Sequence, residues 1–269
     1  MAPAGSTMTL RAPDGTAFTL HGPLAGPTVV LIHGLGLNRA LWGQITPALT
    51  RYRVLTYDLL GHGQTPTVQN LTLAHLTGQL AGLLDYCNLP SAALVGFSLG
   101  GMVARHFAQT HPTRTRALAL LHTPHRRSPQ DQAAVQARVA EARKLGPAAT
   151  VDAALERWFT AVYAAANPAM MDLVRRWVLA NDPATYPDYY RIFADDVAQV
   201  AGPAPPLTCP TLVITGDQDH GNSPEMARAI AADIPGAQTL ILPGLRHMAL
   251  LQDPEAITTP LAEFLARTL

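Results

Sequence analysis

The sequence predicts a doubly wound α/β fold: a mostly parallel, eight-stranded sheet with helices on both faces and a helical segment inserted late in the chain. Three observations predict it. Short β-rich runs alternate with helical stretches, and several of those runs are apolar at nearly every position, as strands covered on both faces must be. The strand signal then vanishes between about 123 and 202, where the text turns alanine-rich and helical.

Taken in order, Thr7 to Arg11 and Ala17 to His21 alternate in polarity and flank the turn signal Pro13-Asp14-Gly15, which predicts a β-hairpin. Strands follow at Thr28 to Ile32, Arg53 to Tyr57, Ala92 to Phe97, Thr115 to Leu121, Thr211 to Thr215 and Gln238 to Leu242. Helices are expected at about 40–49, 72–87, 99–110, 223–233 and 254–267. Within the alanine-rich stretch, helix starts are expected around Ser128, Thr150, Pro168 and Pro183, and Gly202-Pro203-Ala204-Pro205-Pro206 returns the chain to a strand. The division is therefore a sheet domain over residues 1–122 and 203–269 and a helical cap over 123–202.

Composition narrows the partners. At 269 residues and 48% hydrophobic content the chain can bury a large core, and its formal net charge of zero, with no basic or acidic run, points away from nucleic acid and anionic membranes. A small molecule is the expected partner, bound by a monomer or homodimer. Cys87 and Cys209 fit no metal-ligand or disulfide pattern, and MAPAGSTMTL lacks the basic and apolar segments of a signal peptide, so a cytoplasmic location is expected. Lys144 is the only lysine, so an abundance of arginine is not by itself a sign of anion sites.

The chemistry starts at "GFSLGG", residues 96–101, which leaves a predicted strand and opens a predicted helix. In that context G-x-S-x-G places Ser98 on a sharp turn above the sheet, with Gly96 and Gly100 relieving the crowding that Cβ atoms would cause around it. The same turn aims the amide of Leu99 and the positive end of the helix at the place where an oxyanion would develop.

A serine alcohol needs a base, and the base needs a group that fixes its tautomer. Of the ten histidines, His247 lies just past the last predicted strand, at the carboxyl edge of the sheet that Ser98 also occupies. "VITGDQD", residues 213–219, delivers two acids, Asp217 and Asp219, to the same edge. The chain order serine, acid, histidine is that of the α/β-hydrolase arrangement.

On these residues the chain resembles the α/β-hydrolase family over essentially its whole length. The family pattern implies that Asp219, the third residue after the glycine ending its strand, is the acid, and Asp217 a turn or surface carboxylate. "LIHGLGLN", residues 31–38, looks like the family's His-Gly oxyanion loop, which implies a second donor in the Leu35 amide and a bracing role for His33. "YDLLGHGQT", residues 57–65, resembles a segment in which Asp58 and His62 hold a turn together. His122 and His125, where the sheet enters the cap, are read as packing or surface groups ahead of a pocket-lining alternative.

A serine nucleophile sets the chain apart from the dehalogenase and epoxide hydrolase branches, which use aspartate. The block "GFSLGGMVARHFAQTHPTR" and the short helical cap look most like 3-oxoadipate enol-lactonases and small carboxylesterases. The resemblance implies acyl transfer by Ser98, His247 and Asp219 on a small, carboxylate-bearing ester or lactone, with no metal and no organic cofactor. Arg126 and Arg127 are the expected carboxylate partners, with Arg246 a further candidate, and Trp158 and Tyr190 are expected to contact substrate from the cap. Three alternatives stay open: a C–N hydrolase of a small carboxylated amide or enamide, a cofactor-free haloperoxidase or perhydrolase, and a hydrolase-like ligand receptor.

Overall fold

The computed structural model describes residues 8–269. Its strands are β1 (Leu10–Arg11), β2 (Ala17–His21), β3 (Thr28–Ile32), β4 (Arg53–Tyr57), β5 (Ala92–Phe97), β6 (Thr115–Leu121), β7 (Thr211–Gly216) and β8 (Gln238–Leu242). They form one eight-stranded sheet in the order β1-β2-β4-β3-β5-β6-β7-β8. The hairpin pairs Leu10 with Phe18 and joins β4 antiparallel, and every pairing from β4 across to β8 is parallel. Thr7, the expected start of the hairpin, lies outside the described residues.

The apolar strands are buried on both faces because alternate side chains enter different cores. Val30, Leu94, Leu118 and Val213 pack with α1 (Leu73–Tyr86) and α2 (Leu99–Thr110) on one face. Val29, Val95, Ala119 and Ile214 pack on the other face with Trp42 and, near the C-terminus, Leu261 and Phe264. The helix expected at 40–49 is two 3-10 helices, Arg39–Gln44 and Thr46–Leu49. Pro47 at the start of the second removes an amide hydrogen that a continuous α-helix would need.

Between β6 and β7 come five α-helices, two short 3-10 helices and no strand, the α-helices being α3 (Pro129–Leu145), α4 (Val151–Trp158), α5 (Ala161–Ala166), α6 (Pro168–Leu179) and α7 (Tyr186–Asp195). Ser128 caps α3 by accepting from the Asp131 amide, and Thr160 caps the unexpected α5 by accepting from Tyr163. The helix expected from Pro183 begins three residues later, because Asp182 and Pro183 form a turn closed by the Thr185 and Tyr186 amides on the Asp182 carbonyl. The fold closes with α8 (Pro224–Asp233), α9 (Ala249–Gln252) and α10 (Pro254–Thr268). No helix among the described residues is long and apolar enough to cross a membrane.

Arg105, wholly buried on α2, ties both ends of the helical segment to the sheet. Its guanidinium donates to the Pro124 carbonyl where the chain leaves β6 and to the Val200 carbonyl where the chain heads back toward β7. A buried charge is tolerated there because carbonyl acceptors replace its water.

Candidate active site

Ser98 is the single residue between β5 and α2, and its backbone sits at φ 54°, ψ −117°. A non-glycine residue at positive φ is strained by about 1–3 kcal/mol and persists only where its surroundings hold it. Here the Ser98 amide donates to the Leu121 carbonyl at 2.9 Å, and the Ser98 carbonyl accepts from Gly101 at 2.9 Å.

The flanking glycines serve this turn differently from the sequence expectation. A Cβ on Gly96 would lie 2.4 Å from the Gly100 carbonyl oxygen, and one on Gly100 would lie 2.2 Å from the Ile32 carbonyl oxygen. The first turn of α2 is thus pressed against the ends of β3 and β5, and the clash avoided is with backbone rather than with the serine. We expect Gly100→Ala to lose at least about 3 kcal/mol, the upper part of the overpacking range, because backbone cannot swing aside. Urea denaturation measures this, and an unchanged midpoint would mean that α2 can shift away from β3.

The parallel strands carry the other groups to the same edge. Asp219, three residues past β7, is buried, and its Oδ2 lies 2.7 Å from Nδ1 of His247, on the loop between β8 and α9. Asp217 points elsewhere, accepting from the Gly244 amide at 2.8 Å on the surface. An ionised carboxylate only accepts, so His247 carries a proton on Nδ1, and in the neutral ring that leaves the lone pair on Nε2. Ser98 and His247 line one pocket, and the His247 ring rests between Phe97 and Trp158, with centroids at 4.9 and 5.9 Å.

Burial alone would push the Asp219 carboxyl up. The charge of the adjacent His247 and the hydrogen bonds from His122 and His247 together outweigh it and hold the group well below the usual carboxylate range. His122 is the unexpected member of the site: its Nδ1 lies 2.8 Å from the same Asp219 oxygen. Its position directly after β6 was the one available signal, and only the through-space approach to Asp219 reveals the contact. His122, Asp219 and His247 offer three ligand atoms within 4.8 Å of one another. A cation could use them only after displacing the two Nδ1 protons that bind Asp219.

The loops beneath the pocket are braced as the resemblance implied. His33 accepts the Leu59 amide at 2.9 Å on Nε2 and donates from Nδ1 to the Gly34 carbonyl at 2.8 Å. His62 accepts the Gly36 amide at 3.0 Å, and burial pushes the two imidazoles down to about 4 and about 3, so both stay neutral. Asp58 is engaged by the Arg39 guanidinium and the Gln64 amide. Between these braces the Leu35 amide, like that of Leu99 at the first position of α2, has no acceptor among the described residues.

Above Ser98 the pocket encloses about 60 Å³ and is walled by Trp158 and Tyr190 from α4 and α7. The arginines are different from those anticipated. Arg126 reaches the Ala201 carbonyl, while Arg127 donates to the Phe193 and Ala194 carbonyls and lies 4.6 Å over the Phe193 ring. Arg246 ties the His247 loop to the Glu156 and Phe159 carbonyls. None of the three lines the pocket that holds Ser98. The arginines that line the pocket are Arg138 on α3 and Arg157 on α4. Neither forms an ion pair or a hydrogen bond among the described residues, and burial pushes Arg157 down. A wider cleft of about 870 Å³ lies between the two 3-10 helices from Arg39 to Leu49 and strands β2 and β4, and Ser98 does not line it, so chemistry rather than size marks the site.

Residues 27–254 match the model of the alpha/beta hydrolase fold. The chain belongs to the α/β-hydrolase family. It is 28% identical over 251 residues to an (E)-2-((N-methylformamido)methylene)succinate hydrolase of Acinetobacter baylyi, covering 90% of this chain and 92% of that one. The enol-lactonase from Burkholderia xenovorans superposes with a TM-score of 0.85 at 29% identity, over 93% of this α/β-hydrolase and 96% of the lactonase. A thermophilic esterase from Thermogutta terrifontis, solved with malate bound, gives a TM-score of 0.84 at 26% identity, over 98% and 99% of the two chains.

Proposed function

We propose that this α/β-hydrolase cleaves a small, carboxylate-bearing ester or lactone by acyl transfer through Ser98. The observation that carries the reading is the Asp219–His247 contact of 2.7 Å in the pocket that holds Ser98 on its strained turn. Ser98 Oγ attacks the carbonyl as His247 Nε2 takes its proton, and Asp219 holds the imidazole in the required tautomer and stabilises the imidazolium. The free Leu35 and Leu99 amides receive the tetrahedral oxyanion. His247 then protonates the leaving oxygen, and water regenerates Ser98 by the same base. The segment 123–202 acts as the cap, since its helices supply the pocket wall opposite Ser98.

Arg138 and Arg157 support the carboxylate. A half-buried guanidinium without an acid is poorly compensated, and an anionic substrate group supplies charge-assisted bonds that the protein does not. Malate in the related esterase and the succinate substrate named for the Acinetobacter hydrolase are in keeping with an acidic ligand. Hydrolysis of p-nitrophenyl hydrogen succinate and of p-nitrophenyl butyrate tests this. In Arg138→Ala and Arg157→Ala, kcat/KM for the charged ester should fall about 10–100-fold, the worth of one charge-assisted bond, with the neutral ester little changed. Equal losses on both esters would assign the arginines to packing.

A second reading, C–N hydrolysis of a small carboxylated amide or enamide, uses the same residues. The likeness to the Acinetobacter succinate hydrolase favours it. Turnover of a dicarboxylate enamide faster than of every ester offered would select it.

A further inference from the structure

Asp219 has more donors than the orientation of one histidine requires. Its Oδ1 accepts the amides of Gly221 at 3.1 Å and Asn222 at 3.0 Å, and its Oδ2 accepts the Nδ1 protons of both His247 at 2.7 Å and His122 at 2.8 Å. His122 is wholly buried, its Nε2 has no partner among the described residues, and its backbone lies at φ 50°. The Asn222 side chain fixes that backbone by donating to the His122 carbonyl at 2.6 Å, while the Thr215 hydroxyl stands 3.4 Å from His122 Nδ1. A strained, buried imidazole with one half unsatisfied is a poor way to fill space, since an apolar side chain would avoid both penalties. The one polar contact it makes at full strength is the one to Asp219.

We propose that His122 is a positioning residue that shares the triad acid, taking the second lone pair of Asp219 Oδ2 so that the first stays aimed at His247. This rests on the catalytic reading of Ser98, His247 and Asp219 given above. With all four acceptor sites of the carboxylate occupied, rotation about its Cβ–Cγ bond would break several hydrogen bonds at once. His122 supplies its proton without supplying charge, because burial holds it neutral. A lysine or arginine there would cancel the negative charge that stabilises the His247 imidazolium. The rings of His122 and His247 meet edge to face at 5.6 Å, so His122 also limits where the His247 ring can tilt.

The test compares His122→Asn, whose side-chain amide places an N–H one bond beyond Cγ as the imidazole does, with His122→Leu, which fills similar space without a donor. The asparagine variant should keep kcat close to the wild-type value, and the leucine variant should lose about 10–100-fold in kcat, the effect of misplacing a catalytic group by about an ångström. KM should stay unchanged in both, because His122 does not line the substrate pocket. Proton NMR of protein labelled with ¹⁵N-histidine gives a readout independent of turnover and of the leucine variant's folding. Buried His33 and His62 also carry Nδ1 protons on carbonyl oxygens, so the readout is a difference: wild type and Ser98→Ala should share one low-field imidazole Nδ1 proton that His122→Asn lacks, beside the His247 proton that all three keep. An unchanged set of low-field imidazole protons in His122→Asn, or wild-type kcat in a folded leucine variant, overturns the proposal. Full activity in Ser98→Ala would instead overturn the catalytic reading, while the low-field proton lost in His122→Asn would still decide whether His122 holds Asp219.

Discussion

Ser98→Ala should lower kcat for p-nitrophenyl acetate by about 10⁴–10⁶-fold, the range over which removing a serine nucleophile leaves only binding and oxyanion stabilisation. The change deletes one oxygen and keeps Cβ, so the strained turn, the Ser98 amide bond to Leu121 and the close contact of α2 with β3 all survive. Stability should therefore stay within about 0.5 kcal/mol of wild type, and loss of activity cannot be assigned to unfolding. Steady-state turnover, thermal melting and labelling by a fluorophosphonate check the three parts together. Wild-type turnover or undiminished labelling in the alanine variant would remove Ser98 from the mechanism.

Asp219→Asn should cost about 10⁴-fold in kcat, and the geometry gives the reason. The carboxylate faces four N–H groups, two from backbone at Oδ1 and two from imidazoles at Oδ2. An amide has one oxygen and one NH₂, and the Gly221 and Asn222 amides cannot surrender their protons, so the oxygen stays on their side. The NH₂ then faces His122 and His247, and each must move its proton to Nε2. His247 would present a proton to Ser98 where it needs a lone pair. His122 would bury an unpartnered N–H, at about 1–3 kcal/mol. Kinetics and melting of Asp219→Asn measure both consequences, and a variant with near-wild-type kcat would mean that the tautomer of His247 is set by some other group.

The difference between the two aspartates illustrates how far reading along the chain reaches. Asp217 and Asp219 have the same chemistry and sit two residues apart, and family resemblance alone favoured Asp219. The fold separates them physically, because Gly216 ends β7 and the following turn sends Asp217 to the Gly244 amide at the surface and Asp219 inward to His247. The arginines illustrate the opposite case. Arg126 and Arg127 follow β6 at the carboxyl edge, where position along the chain favours them, yet neither lines the Ser98 pocket, and Arg127 is turned to the Phe193 and Ala194 carbonyls instead. Arg138 and Arg157 carry no local signature, since an arginine on a helix reads as a solvated charge until its burial and lack of an acid are seen.

The strand boundaries, the parallel sheet and the glycine-flanked serine all follow from local rules: side-chain alternation, continuous apolar runs and turn chemistry act over a few residues. That is why β3 to β6 and β8 lie where the hydrophobic pattern put them. The meeting of His122 with Asp219, the tie of Arg105 to both ends of the helical segment and the choice of pocket arginines bring together residues 19 to 97 positions apart, or helices with no pattern linking them. Such pairings are set by which surfaces bury together. Only the packed chain, in which each buried donor must find an acceptor, selects among them.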